Sequence, residues 1–549
     1  MGRLGDFHSM AVCSGDRAGY SLVARRSWIM TIGKSKTVTI AGLGTDVPEL
    51  RNARALWQMN RFEEALRLFE EAVRKYPQNL VALVDGSRAL GARFEITRAE
   101  AMLDRLLKVG GKRADILHLA GQSYRMIFRP EKAMACFEKT LAKTKEIPDA
   151  FLELAILYER RHRLSEAESL LRESLRISPD YQESRLVYGR LLRRMKRESD
   201  AETLFRDITR LESAHPGLRA QAWAEIAQLL DRQELYRDAM AAMLAAKELL
   251  LPREGPILEE SNTVIGYLNS LAHSLTVDHF RRWADTAPQP ASQRTAVLTS
   301  FPRSGTTLLE QVLDTHSGVV SSDEREAFAR DIFPALWLQP GVPAPTASAL
   351  DHISASKLDT LRQRYFDYMA AALNEPVGGR IHLDKNPPMT LVLPGFLRLF
   401  PQSKLLVALR DPRDVVISCF MQYLPLNTNS VCFLTLERTA KRYANDMAIW
   451  RELREKIVSP WLEVRYEDTV SDIGREARRS LDFLGLPWEE SVLNYRDRLK
   501  DKVVGSPTYE AVSQPIYTRA IGRWRHYEEF LAPSLAVLQP SLNMFGYSH

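Results

Sequence analysis

Cysteine is scarce in this sequence, and long hydrophobic runs are missing from it. Four cysteines occur among 549 residues, at widely separated positions: Cys13, Cys136, Cys419 and Cys432. That number and spacing exclude a disulfide-stapled scaffold and a cysteine-rich zinc module. No stretch of 18 or more uncharged apolar residues is present, so the sequence predicts no membrane-spanning helix. Both absences favour a cytoplasmic protein.

A large excess of one charge is also missing. The chain has 75 Lys and Arg against 69 Asp and Glu, a formal net charge of +6, which is not a nucleic-acid-binding signature over 549 residues. Apolar residues make up 45% and charged residues 26%, a balance that excludes collagen-like and wholly disordered chains. At about 150 residues per domain, the length predicts three or four domains, or fewer large ones.

The N-terminal segment carries no periodic pattern. Residues 1–45 mix Gly, Ser and Arg and contain no apolar core of signal-peptide length. We therefore predict a disordered tail over residues 1–45. Met1 and Met30 are both open as the start of the chain.

A repeat of 34 residues follows the tail. Alanines preceded by a polar residue recur at intervals of 34, 34, 34, 34 and 38 residues, at Ala65, Ala99, Ala133, Ala167, Ala201 and Ala239. A large apolar residue stands four positions after each, and a small residue stands twelve positions before each, for example Gly121 and Gly189. Small residues let two helices approach closely, and large ones fill the groove between units. The spacing predicts about six helix–turn–helix units over residues 46–252.

The pattern changes after the repeats. Residues 253–290, a polar helix between Pro-containing ends, are interpreted as a linker. Short β-branched or apolar runs then alternate with amphipathic helices, which predicts strands over residues 295–299, 404–409 and 461–466. This alternation is typical of a parallel sheet with helices on both faces.

The first of these strands runs directly into the segment from Ser300 to Thr307. Small residues between a strand and a helix N-terminus present backbone N–H groups to an anion. Arg303 adds a fixed positive charge, and Thr306 and Thr307 add hydroxyl donors. The segment has one glycine and no lysine, so it departs from the nucleotide-triphosphate pattern G-x-x-x-x-G-K-[ST]. An anion other than a Mg-bound triphosphate is expected.

This segment resembles the 5′-phosphosulfate-binding loop of sulfotransferases, and the repeats resemble tetratricopeptide repeats. The second strand–helix junction, which begins at Arg410 and reaches Ser418, matches the segment with which that family binds the donor's 3′-phosphate. The order of motifs is similar to that of tyrosylprotein sulfotransferases and of bacterial-type proteins that fuse the repeats to the same domain. The resemblance implies an N-terminal tetratricopeptide-repeat α-solenoid and a P-loop-like α/β sulfotransferase domain with a parallel sheet over residues 291–549.

An acidic segment matches the part of the tyrosylprotein sulfotransferases that holds the catalytic base. Its distance from Arg303 places Glu324 on that base. The sequence departs from the family's Gly-Glu-Glu-Thr-Arg by having Ser322 and Asp323 before Glu324, and Arg325 and Glu326 after it. Asp323 and Glu326 therefore stay open as the base, as does the alternative that the cluster is a solvated helix start.

Three further segments match the family. Lys385 corresponds to the lysine that reaches the bridging oxygen between phosphate and sulfate, although pairing with Asp384 as a structural salt bridge stays open. Tyr466 corresponds to a donor-contacting tyrosine. The C-terminal stretch from Gln514 through Arg523 and Arg525 resembles the loop that closes over the nucleotide.

The resemblance implies transfer of a sulfuryl group from 3′-phosphoadenosine 5′-phosphosulfate to a hydroxyl, with a protein or peptide tyrosine expected and no metal required. The implied catalytic residues are Glu324, Lys385 and Arg303, and the implied nucleotide-binding residues are Arg303, Ser304, Gly305, Thr306, Thr307, Arg410, Ser418, Tyr466, Arg523 and Arg525. The repeats would present the acceptor or another protein partner. A small-molecule, lipid or glycan acceptor, and a repeat-based adaptor with an inactive domain, are the alternatives. Whether the chain forms a homodimer is left open.

Overall fold

The computed structural model describes residues 46–286, 294–338, 342, 344–499 and 518–547. The predicted tail over residues 1–45 and the predicted closing residues Gln514 to Tyr517 lie outside the described residues. The chain divides into two compact units. The first extends to Leu229 and includes Ala371–Glu375, and the second comprises Leu230–Ala370 and the chain from Pro376 onward.

Antiparallel helix pairs follow one another from Pro48 to Glu248, as the 34-residue repeat predicts. They are α1 (Pro48–Gln58), α2 (Phe62–Lys75), α3 (Leu80–Ala92), α4 (Ile96–Gly110), α5 (Ala114–Met126), α6 (Pro130–Lys143), α7 (Pro148–Arg160), α8 (Leu164–Ile177), α9 (Gln182–Arg194), α10 (Glu198–Arg210), α11 (Pro216–Arg232) and α12 (Tyr236–Glu248). The six repeat alanines are all fully buried. The division between the two units falls inside α11, so α12 belongs to the second unit.

Glycine sets the spacing of the helices in two repeats. A Cβ atom on Gly121 would lie 2.7 Å from the Phe137 ring, and one on Gly189 would lie 2.5 Å from the Phe205 ring. Both rings are fully buried. The predicted close approach of two helices at a small residue is therefore confirmed at these two positions, where the backbone of one helix packs against an aromatic ring of the next.

The second unit contains a five-stranded parallel sheet. Its strands are β1 (Arg294–Thr299), β2 (Val319–Ser321), β3 (Ile381–Lys385), β4 (Lys404–Leu409) and β5 (Trp461–Arg465). They lie in the order β2-β3-β1-β4-β5. The register places Leu298 beside Lys385 and Leu409 beside Arg465. The three strands predicted from sequence correspond to β1, β4 and β5, and the parallel sheet is confirmed.

Helices surround this sheet. They are α13 (Gly255–Ser274), α14 (Val277–Asp285), α15 (Thr306–Leu313), α16 (Phe333–Trp337), α17 (Ala347–Asp351), α18 (Ala355–Leu373), α19 (Leu393–Leu399), α20 (Pro412–Phe420), α21 (Leu436–Arg454), α22 (Tyr466–Ser471), α23 (Ile473–Leu484), α24 (Tyr495–Leu499), α25 (Glu528–Leu531) and α26 (Leu535–Phe545). On one face, α15 and α23 pack on the apolar residues of the strands. On the other, the Tyr365 ring of α18 lies 5.5 Å from the His382 ring of β3. Within the described residues, no helix combines the length and apolarity needed to cross a membrane.

The segment predicted as a linker is largely helical. Residues 255–285 form α13 and α14 and belong to the second unit. Phe280 and Trp283 are buried, and the Trp283 indole donates a hydrogen bond to Asp351 Oδ1 at 2.8 Å. These contacts make the segment part of a packed core, because a linker would leave both rings in water. The structural boundary between the units therefore differs from the predicted one at residue 252.

Replacing Gly121 with alanine tests the close helix contact in the repeats. We expect Gly121→Ala to destabilise the protein by about 1–3 kcal/mol, because the added methyl group overlaps the buried Phe137 ring. Thermal or urea unfolding followed by circular dichroism measures this loss. Gly266→Ala is the matched control, since Gly266 is a helical glycine with no heavy atom within 4 Å of its added Cβ. That variant should be neutral or stabilising by up to ~1 kcal/mol. Equal stability of the two variants would contradict the prediction.

Candidate active site

The carboxyl ends of the parallel strands bring the predicted site residues to one edge of the sheet. β1 lies at the centre, with β3 on one side and β4 on the other, and the chain leaves β1 to reach the sheet edge at β2. Crevices outside the carboxyl ends of strands, where the strand order reverses, are where open α/β sheets bind ligands. The segments that meet there are those that follow β1, β4 and β5, together with the last residues of β3.

The anion loop, residues Ser300–Thr307, connects β1 to α15. Gly305 precedes the helix with a φ of +97°, and Arg303 has a φ of +73°. The Ser300 hydroxyl donates to the Ala408 carbonyl of β4, and the Ser300 N–H donates to the Pro387 carbonyl at 3.2 Å. The loop is thus fixed by the chain on both sides of β1.

Tyr466 packs directly against the anion loop. It is the first residue of α22, immediately after β5. A Cβ atom on Gly305 would lie 2.6 Å from Cδ2 of the Tyr466 ring. Only glycine accommodates both this contact and the left-handed backbone. The Tyr466 ring therefore lies against the anion loop at the N-terminus of α15. The anion loop, this ring and the side chains that contact them are called the cradle below.

Two arginines and a serine complete this cradle. Arg303 Nε donates to Ser418 Oγ at 3.1 Å, and an Arg410 guanidinium nitrogen donates to the Arg303 carbonyl at 3.1 Å. The Arg410 guanidinium also lies 4.8 Å from the centre of the Tyr466 ring. Ser304, Thr306, Thr307, Arg410 and Ser418 are each at most 7% exposed. The structure therefore brings together the residues that the sequence assigns to the anion loop and to the second junction.

The junction after β4 is a capped helix start. The Asp411 carboxylate accepts a hydrogen bond from the Arg413 backbone N–H at 2.9 Å, and Pro412 is the first residue of α20. The same carboxylate binds the Arg413 guanidinium, with an oxygen–nitrogen distance of 2.8 Å. The helix that carries Ser418 is thereby anchored at its start, as expected for an aspartate cap followed by proline.

Lys385, at the end of β3, is fully buried among carboxylates. Its Nζ lies 2.6 Å from Glu324 Oε1, 3.1 Å from Glu310 Oε2 and 3.6 Å from Asp323 Oδ1. Burial alone disfavours the ammonium form, but Glu310, Glu324 and Asp323 outweigh it and raise the pKa of Lys385 above its ordinary value. Lys385 is therefore held as a cation.

Glu324 stands at the open side of this cluster. Its side chain is 30% exposed, whereas the Glu310 side chain is fully buried and that of Asp323 is 5% exposed. Asp323 and Glu324 both have positive φ, +45° and +58°, and the Glu324 N–H donates to the Lys385 carbonyl at 2.9 Å. This backbone, rare for residues other than glycine, turns the segment after β2 towards the end of β3. Glu324 is thus placed beside Lys385 and accessible to a ligand.

Asp384 does not pair with Lys385. Neighbouring strand residues point to opposite faces of a sheet, and Asp384 Oδ2 accepts a hydrogen bond from the Tyr365 hydroxyl at 2.6 Å on the other face. Burial raises the pKa of Asp384 to about 7, against a smaller lowering by the Tyr365 hydrogen bond. The alternative of an Asp384–Lys385 salt bridge is therefore wrong, because pleating separates the two side chains.

His316 has a local structural role. It lies at the turn after α15, where its Nδ1 accepts from the Gly318 N–H at 2.9 Å and its Nε2 donates to the Pro487 carbonyl at 2.8 Å. Both ring nitrogens are therefore used in fixing the turn.

Within the ranges that the structure describes, no three His, Cys, Asp or Glu side chains are grouped so that they could hold a metal ion.

The C-terminal segment reaches the second junction through its backbone. The Ala520 carbonyl accepts from an Arg410 guanidinium nitrogen at 2.5 Å. The backbone N–H groups of Gly522 and Trp524 donate to Asp414 at 2.7 and 2.8 Å. The part of the predicted closing loop that is described therefore contacts the junction that carries Arg410.

The two arginines predicted from this segment have other neighbours. Arg523 binds Asp231, with an oxygen–nitrogen distance of 2.8 Å, and the Tyr527 hydroxyl donates to the same carboxylate at 2.5 Å. The Arg525 guanidinium lies 5.1 Å from the centre of the Trp524 ring. The structure thus does not bring Arg523 into the cradle, because a carboxylate from α11 holds its guanidinium.

Sequence reasoning missed Glu310 and Ser321. Glu310 lies in the second turn of α15, and one of its oxygens accepts a hydrogen bond from the Ser321 hydroxyl at the end of β2. Both residues are at most 2% exposed. The sequence feature that could have indicated Glu310 is its position as a single carboxylate, four residues after Thr306, in the otherwise uncharged helix from Thr306 to Leu313.

Comparisons with known proteins agree with this architecture. Residues 296–490 match the profile described as Sulfotransferase family, and residues 50–85 and 119–182 match the tetratricopeptide repeat. The chain therefore contains a sulfotransferase-family domain preceded by tetratricopeptide repeats. Both resemblances inferred from the sequence motifs are confirmed.

Several proteins are similar to parts of the chain. A protein of Aquifex aeolicus named "Uncharacterized protein" is 25% identical over 325 residues, which are 58% of this chain and 41% of that protein. Protein-tyrosine sulfotransferase 2 of Gallus gallus is 26% identical over 270 residues, 45% of this chain and 67% of that protein. The chain thus spans about two fifths of the Aquifex relative's length. Among solved structures, pilF from Pseudomonas aeruginosa aligns with 37% of this chain. The aligned region covers 90% of the pilF chain, with 16% identity and a TM-score of 0.31.

Replacing Gly305 with alanine tests whether the cradle binds the nucleotide that the resemblance implies. We expect Gly305→Ala to weaken binding of 3′-phosphoadenosine 5′-phosphate about tenfold or more, because the added methyl overlaps Tyr466 and strains the backbone. The ligand-induced shift in melting temperature, with and without the nucleotide, measures the effect. Gly378→Ala is the matched control, because Gly378 has a φ of +63° and no heavy atom within 4 Å of its added Cβ. Equal nucleotide shifts in the two variants would refute the assignment.

Proposed function

We propose that the second unit transfers a sulfuryl group from 3′-phosphoadenosine 5′-phosphosulfate to the hydroxyl of a protein or peptide tyrosine. The observation that carries this proposal is the pairing of Lys385 Nζ with Glu324 at 2.6 Å beside the anion loop. A buried cation next to an accessible carboxylate supplies one group to stabilise a leaving oxygen and one to accept a proton.

The cradle suits the two anionic ends of the donor. The loop amides, the dipole of α15 and Arg303 would hold the phosphosulfate, and Arg410 with Ser418 would hold the 3′-phosphate. Two features of the described residues support this fit. The left-handed backbone of Gly305 and its close contact with the Tyr466 ring fix the anion loop, and Arg410 Nε is buried without a hydrogen-bond partner. A buried donor of this kind is suited to an anion that brings acceptor oxygens.

The reaction balances with the residues at hand. The acceptor oxygen forms a bond to sulfur while the bond between sulfur and the bridging oxygen breaks, and that oxygen leaves with the electron pair on 3′-phosphoadenosine 5′-phosphate. Glu324 takes the acceptor proton. Lys385 and Arg303 stabilise the negative charge on the leaving and non-bridging oxygens, as in phosphoryl transfer.

A phenolic acceptor is the best match to this base. Proton transfer to a carboxylate is easier from a phenol, whose ordinary pKa is about 10, than from the much less acidic aliphatic alcohol. The similarity to a protein-tyrosine sulfotransferase of Gallus gallus supports the same acceptor. The tetratricopeptide repeats support a polypeptide acceptor or partner, since solenoids of this kind offer extended binding surfaces.

Conversion of Glu324 to glutamine tests the base. We expect Glu324→Gln to lower kcat about 10²–10⁴-fold, because glutamine cannot accept the acceptor proton. The melting-temperature shift caused by 3′-phosphoadenosine 5′-phosphate should persist, which shows that the donor site is intact. Glu326→Gln, in the same segment, tests the alternative that Glu326 is the base. A loss of turnover in Glu326→Gln, with retention in Glu324→Gln, would move the base to Glu326.

Radiolabelled donor tests the acceptor class. We expect label to be incorporated into tyrosine-containing peptides and not into the same peptides with phenylalanine, because the ring hydroxyl is the atom that is sulfated. A metabolite extract, offered in parallel, provides small-molecule, lipid and glycan hydroxyls. Label found only in the extract would reject the tyrosine acceptor and retain sulfuryl transfer. No label in any arm, together with no nucleotide-induced melting shift, would reject the enzymatic function.

A further inference from the structure

We propose that Glu310 is a positioning residue for the transfer step, holding the ammonium of Lys385 at the anion loop while Glu324 exchanges a proton with the acceptor. This inference rests on the proposed function. It assigns a role to a fully buried carboxylate, and it explains why a buried lysine at this site is surrounded by more negative charge than it needs for neutrality.

Glu310 and Glu324 differ in their exposure to solvent, and therefore in the chemical roles that each can have. Glu310 and Lys385 are both fully buried, and Glu310 Oε2 lies 3.1 Å from Lys385 Nζ. An acceptor can approach Glu324, whose side chain is 30% exposed, but has no access to Glu310. Glu310 is therefore not placed to serve as the base, and its contact with Lys385 lies away from the acceptor side.

The fold ties Glu310 to the anion loop. Glu310 lies four residues after Thr306, and residues four apart share one side of a helix. The Lys385 ammonium is thus held on the side of α15 that also presents Thr306. Lys385 points to this side because residues 381, 383 and 385 share one face of β3, and Ile381 and Leu383 pack in the cluster that includes α15.

The second oxygen of Glu310 is also engaged. The Ser321 hydroxyl, at the end of β2, donates to Glu310 Oε1. The carboxylate is therefore held by one partner from β2 and one from β3, so its rotation is restricted.

The charge balance changes during the reaction. Before transfer, the groups that face Lys385 are Glu310 from α15 and Asp323 and Glu324 from the segment after β2, and the Arg325 guanidinium interacts electrostatically with Glu310 and Asp323. When Glu324 takes the acceptor proton, its attraction for Lys385 weakens. Glu310 then keeps the ammonium charged, so Lys385 is released from Glu324 towards the leaving oxygen without losing its proton to the buried environment.

Glu310→Gln tests this inference, because glutamine keeps the shape of the side chain and an oxygen for Ser321 but removes the charge. We expect kcat to fall about tenfold or more, with the KM for the donor changed less than about twofold. The alkaline limb of the pH profile should move to lower pH, because the loss of a negative neighbour lowers the pKa of Lys385. Glu310→Asp, which keeps the charge, should return the alkaline limb to its wild-type position.

Two further variants complete the experiment. Ser321→Ala should reduce kcat in the same direction but less, and it decides the question if Glu310→Gln fails to fold. Glu476→Gln removes another buried carboxylate, which pairs with Arg479 in α23, and should leave kcat and the pH profile unchanged. Wild-type kinetics and an unshifted alkaline limb in Glu310→Gln would overturn the role of Glu310. An inactive wild-type enzyme without a nucleotide-induced melting shift would instead overturn the proposed function.

Discussion

The organisation of the candidate site depends on one buried ammonium group. Lys385 is fully buried, and an isolated charge in that position would cost far more than a folded protein can tolerate. It persists because carboxylates from three positions surround it, two of them on the segment after β2 and one on α15. The same contacts fix the end of β3 against α15 and against the segment after β2. Charge compensation and site assembly are therefore a single structural requirement.

The cradle, on the β4 side of β1, is held together by different interactions. Arg303, Arg410 and Ser418 are linked by hydrogen bonds to one another and to backbone carbonyls, with Tyr466 packed against Gly305. The Arg410 guanidinium also interacts electrostatically with the buried Asp414 carboxylate of α20, so one acidic side chain lies close to these arginines. The two halves of the candidate site thus differ in composition, with two arginines in the cradle and three carboxylates around Lys385.

Sequence reasoning recovered the parts of the fold that have local signals. β1 and β4 are apolar runs flanked by loop motifs, and the repeat alanines recur at a fixed interval. β3 was missed as a strand because His382, Asp384 and Lys385 make it polar, and β2 was missed because three residues show no period. The ion pair of Arg523 with Asp231 joins residues 292 positions apart, and no local pattern predicts such a contact. The prediction failed where tertiary contacts, rather than neighbours in sequence, decide the structure.

The two faces of β3 show why partners, rather than burial, decide which groups stay charged. On the face away from α15, burial lowers the pKa of His382 to about 3 and raises that of Asp384 to about 7, so both are driven towards their neutral forms. On the opposite face, Lys385 is equally buried but keeps its charge because carboxylates surround it. The pleat of one strand therefore separates a neutral, structural face from a charged one. Chemistry that needs a fixed cation is confined to the face on which α15 supplies Glu310.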